Sequence, residues 1–481
     1  MSNDQRAQPV GGDSDAESDS SGAHLSLADR TLKVVRWIEN EIGGEVVHID
    51  PQARWRPVWF AEVDRPAKDG SVERLSLCVR GDRIDAHHGF PLEHEMRFQE
   101  KLYEAGIPVP KVWGWCNDPR AYVMDRVEGV EHFAQTEDAE RDDVMRHYME
   151  ILADIHRLDI TPFVKAEILR ADRPEDSGKL GMQIYEESYR KRKKRPDPHL
   201  EFCLAWLKRN PLGGEPRESV IVWDSGQLMH KDGRVEAVID LELGHLGDPM
   251  MDLAGFRMRT SVLGFGDFNA LYDHYEKAIG KSIDRRAIQY HHFCFTLSNQ
   301  LAFHSALAEP PSGSDYMTNM QWCAETNIYS MEALAELLGI ELEEVPIPEP
   351  HVSTGAVGHG HLVDWLRNFP AEITNGSDKD ETTQHQFRIF FRLARHLART
   401  DEIGAAVDKA NLDDLEALLG ERPATWQDGD AALERFVFED DGRNDEALIR
   451  LFHRRTSRYL MLCGPAGSAI ARHNPIPDFE F

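Results

Sequence analysis

The chain has 481 residues, enough for one large core or two ordinary ones, and 41% of them are apolar. Its 84 acidic residues against 55 basic ones leave a net charge of −29, which argues against general nucleic-acid binding or docking on anionic lipid, since both need a basic patch. A nucleotide remains compatible, because it needs only a local positive site. Cys78, Cys116, Cys203, Cys294, Cys323 and Cys463 lie far apart with no CxxC spacing, the pattern of buried, reduced thiols. No apolar run approaches the length of a membrane span, and the first residues lack the apolar core of a signal peptide. A soluble, cytoplasmic protein without membrane attachment is therefore expected.

Residues 1–24 are mostly Ser, Asp, Gly and Gln, with almost nothing to bury, and are expected to form a disordered tail. Leu27, Val34, Val35, Ile38 and Ile42 recur at helical spacing until Gly43-Gly44, which predicts a helix. Three short strands follow over 45–49, 58–63 and 74–79, then a helix from about Leu92 to Ala105, closed by Gly106, Pro108 and Pro110. Residues 111–115 and 120–127 read as two further strands. Helical patterning then dominates at about 138–157, 178–192, 197–209, 250–260, 267–278, 284–308 and 316–338. Pro346, Pro348 and Pro350 among acidic neighbours mark 341–358 as a linker. Beyond it, 359–472 carry helical patterning, clearest at 387–397, 412–419 and 445–462, and no strand of length. The layout is an α+β fold: a small β-rich lobe over 25–128, a larger α-rich lobe over 129–340, and an all-α extension over 359–481.

The segment 218–254 is the most informative. An apolar strand, 220–222, runs into Asp224, and Gln227 follows three positions on. Lys231-Asp232-Gly233 is a hairpin signal that leads into a second strand, 235–239, ending on Asp240. Gly247-Asp248-Pro249 then opens a helix over 250–258. Two carboxylates at the ends of paired strands, with an amide beside the first, suit phosphoryl transfer: one orients an acceptor hydroxyl, while the other and the amide hold Mg²⁺. Asp248 and Asp252 read as turn and cap residues, His156 as a packed histidine, and Arg190–Arg195 as a solvated helix end. His359 and His361 have no Cys or carboxylate at ligand spacing and are not read as a metal site.

With "LEHEMRFQEKLYEAGIPVPKVWG" (92–114), "YVMDRVEG" (122–129), "LADIHRLD" (152–159) and "AVIDLELGHLGDPMMDLA" (237–254) in this order, the chain resembles the aminoglycoside phosphotransferase/choline kinase group of protein-kinase-like enzymes over roughly residues 27–310. It is most similar to the branch joined in some proteins to an acyl-CoA dehydrogenase. The resemblance implies a bilobal protein-kinase-like fold, with a nucleotide-binding lobe over 25–128 and a catalytic and substrate lobe over 129–340. It implies a kinase using ATP and Mg²⁺ on a small hydroxyl-bearing molecule, and leaves open which one. Asp224 matches the catalytic-loop carboxylate that orients the acceptor hydroxyl, while Gln227 and Asp240 fall at the metal-ligand positions. Arg80 stands where the family has its phosphate-contacting cation, and Glu95 would orient it through an ion pair. Asp125 C=O and Val127 N–H would face adenine, with Met124 against its ring.

The chain departs from the family's pattern. Its catalytic loop lacks the usual His, is two residues shorter, and carries Gln in place of Asn. Arg80 replaces the commoner Lys. No Gly-rich loop joins the first two strands; Arg54 and Arg56 lie there and are expected at the surface. These departures give a second expectation from another class, an inactive pseudokinase that serves as a nucleotide-binding or protein-interaction module.

Overall fold

The computed structural model describes residues 27–52, 56–67, 69–82, 89–312, 314–374, 381–463 and 473–479; the expected tail over 1–24 lies outside them, as does Arg54. Helix α1 (Leu27–Trp37) runs into a wider turn over Ile38–Ile42, and buries Val34 and Ile38 against a five-stranded antiparallel sheet. The strands are β1 (Glu45–Gln52), β2 (Val58–Pro66), β3 (Val72–Gly81), β4 (Val112–Asn117) and β5 (Arg120–Asp125), in the order β1-β2-β3-β5-β4. The period-2 alternation divides β2 and β3 into two faces. Trp59, Ala61, Val63, Leu77 and Val79 form this lobe's core, whereas Val58, Phe60, Cys78 and Arg80 line the cleft beneath.

Helix α2 (Leu92–Glu104) ties the sheet to the larger lobe. Its Phe98 and Leu102 join a core with α3 (Asp138–Arg157), while Glu95 and Gln99 face the cleft. The larger lobe continues with α4 (Thr161–Lys165), α5 (Leu180–Arg192), α6 (Pro198–Arg209), α7 (Met250–Leu263), α8 (Phe268–Ile279), α9 (Arg285–Thr296), α10 (Ser298–Ala308) and α11 (Tyr316–Leu338). The bilobal α+β expectation is borne out. The expected helix over 284–308 is two, separated at Leu297.

One strand pairing needs correction. The strands before Asp224 and Asp240 are not partners. Strand β6 (Ser219–Ile221) pairs with β9 (His245–Gly247), and β7 (Leu228–Lys231) with β8 (Arg234–Val238). The hairpin signal acts more locally than expected: Asp232 (φ +50°) and Gly233 (φ +74°) close β8 onto the four residues just before them. That leaves β6 to find its partner beyond Asp240.

Helices α12 (Ala356–Thr374), α13 (Glu381–Leu419), α14 (Trp426–Glu439) and α15 (Asp445–Cys463) follow; the separate patterns at 387–397 and 412–419 belong to one helix. The last two pack directly on the larger lobe: Leu433, Val437, Leu448 and Phe452 share a core with Leu200 and Phe202 of α6 and Leu334 of α11. The basic run that ends α5 is not simply solvated. Arg190 and Lys193 converge on the buried Glu201, and Lys193 also meets Glu434 of α14 at 2.6 Å. No helix among the described residues is long and apolar enough to cross a membrane. All six cysteines are free.

Residues 473–479 return to the larger lobe. Arg257 of α7, fully buried, pairs with Glu336 at 2.8 and 2.7 Å and donates to the Pro477 carbonyl at 3.1 Å. Its guanidinium lies 4.3 Å from the Phe479 ring centre, and Phe479 packs on Phe268 and Tyr272. Removing one member of a buried charge pair costs ~3–5 kcal/mol, and Glu336 is only partly buried. Arg257→Met is therefore expected to lose about 3 kcal/mol in urea unfolding; a loss below ~1 kcal/mol would contradict the anchoring role.

Candidate active site

The chain leaves β6 through a tight turn in which Asp224 N–H donates to Val222 C=O at 2.8 Å and Trp223 takes φ +59°. A non-glycine residue in that region needs support from its surroundings. Trp223 is fully buried, and Asp252 of α7, also fully buried, accepts from the amides of Val222 (3.1 Å) and Trp223 (2.5 Å). His156 Nε2 lies 2.9 Å from the Asp252 carboxylate, and its Nδ1 meets the Tyr275 hydroxyl. Asp252 and His156 thus hold the backbone that presents Asp224.

Gly255 follows Asp252 by three residues and Arg259 by seven, spacings that place all three on one helix face. A Cβ on Gly255 would stand 2.2 Å from the Trp223 carbonyl oxygen, so this turn and α7 approach as closely as backbones can. Arg259 then reaches Asp224 Oδ1 through Nη2 and, at 3.2 Å, through Nε. Gly226, at φ +94°, clears its path: a Cβ there would lie 3.1 Å from Arg259 Cδ and 2.7 Å from Phe265 Cε2. The other Asp224 oxygen accepts from Gln227 Nε2 at 2.7 Å. Burial pushes the Asp224 carboxyl above its ordinary range despite the Arg259 charge.

Asp240 sits just beyond β8 at φ +56°. Ile239 N–H donates to Gln227 C=O at 3.1 Å, which sets Gln227 and Asp240 side by side. Asp240 is ion-paired to Arg80. Burial alone would raise its carboxyl, but Arg80, then Arg56 and Arg259, hold it at about 2. Arg80 Nε stands 2.9 Å from Glu95 Oε1, close enough for charge pairing though poorly aimed for a hydrogen bond. The Tyr122 hydroxyl donates to the same oxygen at 3.2 Å.

Arg56, expected at the surface, is 5% exposed and pairs with Glu95 at 3.3 Å and Glu242 at 2.5 Å. Two anionic partners inside the cleft draw it in. Glu242 and Arg259 belong to the cluster and were not read from the sequence. Glu242 carries a weak signal, standing two residues after Asp240. Arg259 carries a better one, its shared helix face with Asp252 and Gly255.

Two cavities meet at this cluster. One, of about 590 Å³, lies between the sheet residues Val58, Phe60 and Cys78 and the hairpin residues Met229 and Ile239. Met124, Asp125 and Val127 line its edge; the Asp125 side chain accepts from Trp113 Nε1 at 2.6 Å, and Met124 Sδ lies 3.4 Å from Gln99 Nε2. The other, of about 340 Å³, holds Asp224 and Arg259 among Tyr185, Phe295, Phe303, Trp322 and Tyr329. Arg80, Gln227 and Asp240 line both. Asp224 and Asp240 therefore converge on one cleft between the lobes.

Asp240, Glu242 and the side-chain amide oxygen of Gln227 offer oxygen donors suited to a hard cation. Among the described residues no group of three or more His, Cys, Asp or Glu is arranged to hold a metal unaided. Few protein ligands, completed by phosphate and water, is how Mg²⁺ is ordinarily bound. His359 pairs with Asp401 at 3.3 Å, away from this cleft.

Glu325, on the wall of the smaller cavity, is 5% exposed. Burial pushes its carboxyl up to about 7, against the pull of His473. A folded value above the unfolded one means that the native state holds the proton more tightly, so this contribution is full below about pH 4.5 and lost as pH rises through 7. Glu325→Gln is expected to match wild type near pH 4.5 and to exceed it at pH 8 by on the order of 2 kcal/mol in urea unfolding. An offset independent of pH would contradict the assignment.

Residues 85–290 match the phosphotransferase enzyme family, APH; the match begins after β3. Among curated proteins, human acyl-CoA dehydrogenase family member 11 is 27% identical over 180 residues, 35% of this chain and 23% of that protein. Mouse acyl-CoA dehydrogenase family member 10 is 27% identical over 182 residues, 34% and 16% respectively. The chain thus spans less than a quarter of the length of these relatives. Among solved structures, macrolide 2'-phosphotransferase type I is 18% identical with a TM-score of 0.42, over 66% of this chain and 99% of that one. A spectinomycin phosphotransferase in complex with ADP and spectinomycin is 9% identical with a TM-score of 0.43, over 61% and 93%. Residues 85–290, which include Asp224 and Asp240, thus match a phosphotransferase-family domain.

Proposed function

We propose that the protein is a Mg-ATP-dependent phosphotransferase that moves the γ-phosphate of ATP to a hydroxyl group of a small molecule. The observation that carries this reading is the pair of adjoining cavities with Arg80, Gln227 and Asp240 on both and Asp224 on the smaller one alone. The larger cavity takes the nucleotide, its adenine against Met124 and the backbone of Asp125 and Val127. The smaller takes the acceptor. Its aromatic walls, Tyr185, Phe295, Phe303, Trp322 and Tyr329, favour a molecule with an apolar face.

Catalysis on this reading is placement and charge neutralisation. Asp224, fixed through Asp252, Arg259 and Gln227, accepts a hydrogen bond from the acceptor hydroxyl and aims its oxygen at the terminal phosphorus. Arg80, steadied by Glu95, meets the phosphates as a positive charge. Asp240 and Gln227, with Glu242 beside them, hold the cation, which neutralises charge on the phosphate oxygens when bound. Asp240 suits that task because its carboxyl stays ionised.

A second reading, an inactive nucleotide-binding module, has one observation in its favour. Both Asp224 oxygens are engaged, and Asp240 is covered by Arg80. Thermal unfolding with and without MgATP, followed by ATP consumption across a panel of apolar hydroxyl compounds, separates the two. The phosphotransferase reading expects stabilisation and an acceptor-dependent turnover that falls by at least ~10²–10⁴-fold in Asp224→Asn and is abolished in Asp240→Asn. Full turnover in Asp240→Asn would remove the metal assignment. Stabilisation by MgATP without turnover on any acceptor would favour the binding module.

A further inference from the structure

Resting on the phosphotransferase reading, we propose that Arg259 is a catalytic residue: the cation that takes the negative charge of the phosphoryl group in flight, delivered by α7 from the acceptor side. In the transfer, the bond from the acceptor oxygen to phosphorus forms as the bond from phosphorus to the ADP oxygen breaks. The hydroxyl proton passes to Asp224 and from there to solvent. Charge on the phosphoryl oxygens therefore peaks beside Asp224, and a group touching Asp224 from the acceptor cavity stands where stabilisation is needed.

Three arginines surround this junction, and neither of the other two pairs with Asp224. Arg56 is buried on Glu95 and Glu242, and Arg80 lies on Asp240 and Glu95. Arg259 is the one on Asp224. It reaches Oδ1 through Nε and Nη2, which leaves Nη1 without an acceptor among the described residues. Its side chain is 22% exposed, on the wall of the acceptor cavity. A guanidinium fork can hold a carboxylate along one edge and phosphate oxygens along another, which an ammonium cannot.

The approach is built for this side chain. Gly226 at φ +94° and Gly255 against the Trp223 carbonyl are the two positions where a Cβ would block it. The short loop from Asp224 to Gln227 makes that approach possible, because Gly226 lets the chain fold back from the Arg259 stem. A cation supplied from a helix 35 residues downstream thus serves a loop too short to carry one.

The test is binding of a transition-state mimic by the full chain, which needs no knowledge of the acceptor. Affinities for MgADP, and for MgADP with aluminium fluoride, are measured by calorimetry in wild type, Arg259→Met and Arg259→Gln; the glutamine can still hydrogen-bond Asp224 but carries no charge. Wild type is expected to bind MgADP with aluminium fluoride at least ~10-fold more tightly than MgADP alone, a conservative fraction of the ~10³–10⁵-fold that such arginines supply. Both variants should keep MgADP affinity within about threefold and lose that gain. The proposal is overturned if either folded variant retains the gain, or loses MgADP itself. A wild type that binds MgADP but gains nothing from aluminium fluoride overturns it with the nucleotide reading standing. A wild type that ignores MgADP overturns both.

Discussion

The carboxylate of Asp252 accepts the backbone amides of Val222 and Trp223 just as the chain leaves β6. Without that acceptor two buried N–H groups would be orphaned, each a cost of ~1–3 kcal/mol, and Trp223 would have no reason to hold φ +59°. The turn it secures aims Asp224 into the cleft rather than along the strand. The same helix face then contributes Gly255, which lets α7 come this near, and Arg259, which binds the carboxylate so presented. Position 224 is thus set by α7 as much as by the strand that precedes it. His156 and Tyr275 extend the support into α3 and α8, so the turn at Trp223 is braced from two further helices.

The second constraint is charge. Asp224, Asp240, Glu95 and Glu242 share the junction with Arg56, Arg80 and Arg259, and none of these side chains is more than 22% exposed. Unpaired, any of them would be prohibitively costly to desolvate. Paired, they form a network with one carboxylate in excess. On the proposed reading this is a resting arrangement in which arginines neutralise the carboxylates until nucleotide and cation arrive. Arg80 is the group that must then exchange partners, since it covers Asp240. The same side chain that would grip phosphate thus keeps the metal position neutral beforehand.

Much of the fold was legible because local signals and tertiary structure agree. Alternation in β2 and β3, the glycine and proline stops after α2, and helical spacing through the larger lobe all place elements within a few residues of where they lie. That Asp224, Gln227 and Asp240 line one cavity agrees with what residue type, interval and the family resemblance led one to expect. All but one of the misses share a cause: they depend on contacts distant in sequence, whereas strand β7 was missed beside its own hairpin partner. Arg56 reads as surface until Glu242, 186 positions later, draws it in. Strand β7 is four residues with no pattern of its own, and only pairing with β8 defines it. Arg259 lies 35 residues from Asp224, and nothing in the short loop announces that its positive partner comes from a helix. The docking of α14 and α15 on α6 is likewise invisible to periodicity, which finds an apolar face but not what covers it.

The central claim is that the side chains at 224 and 240 serve one bound nucleotide and one cation. A crystal structure with a non-hydrolysable ATP analogue and Mn²⁺ in place of Mg²⁺ tests it most directly, because the anomalous signal locates the metal independently of the protein density. The account predicts adenine between Val58 and Ile239, Mn²⁺ bonded to Asp240 with Arg80 moved onto phosphate, and the terminal phosphate facing Asp224. Mn²⁺ bound elsewhere, or Arg80 still on Asp240 with the analogue outside the larger cavity, would contradict it.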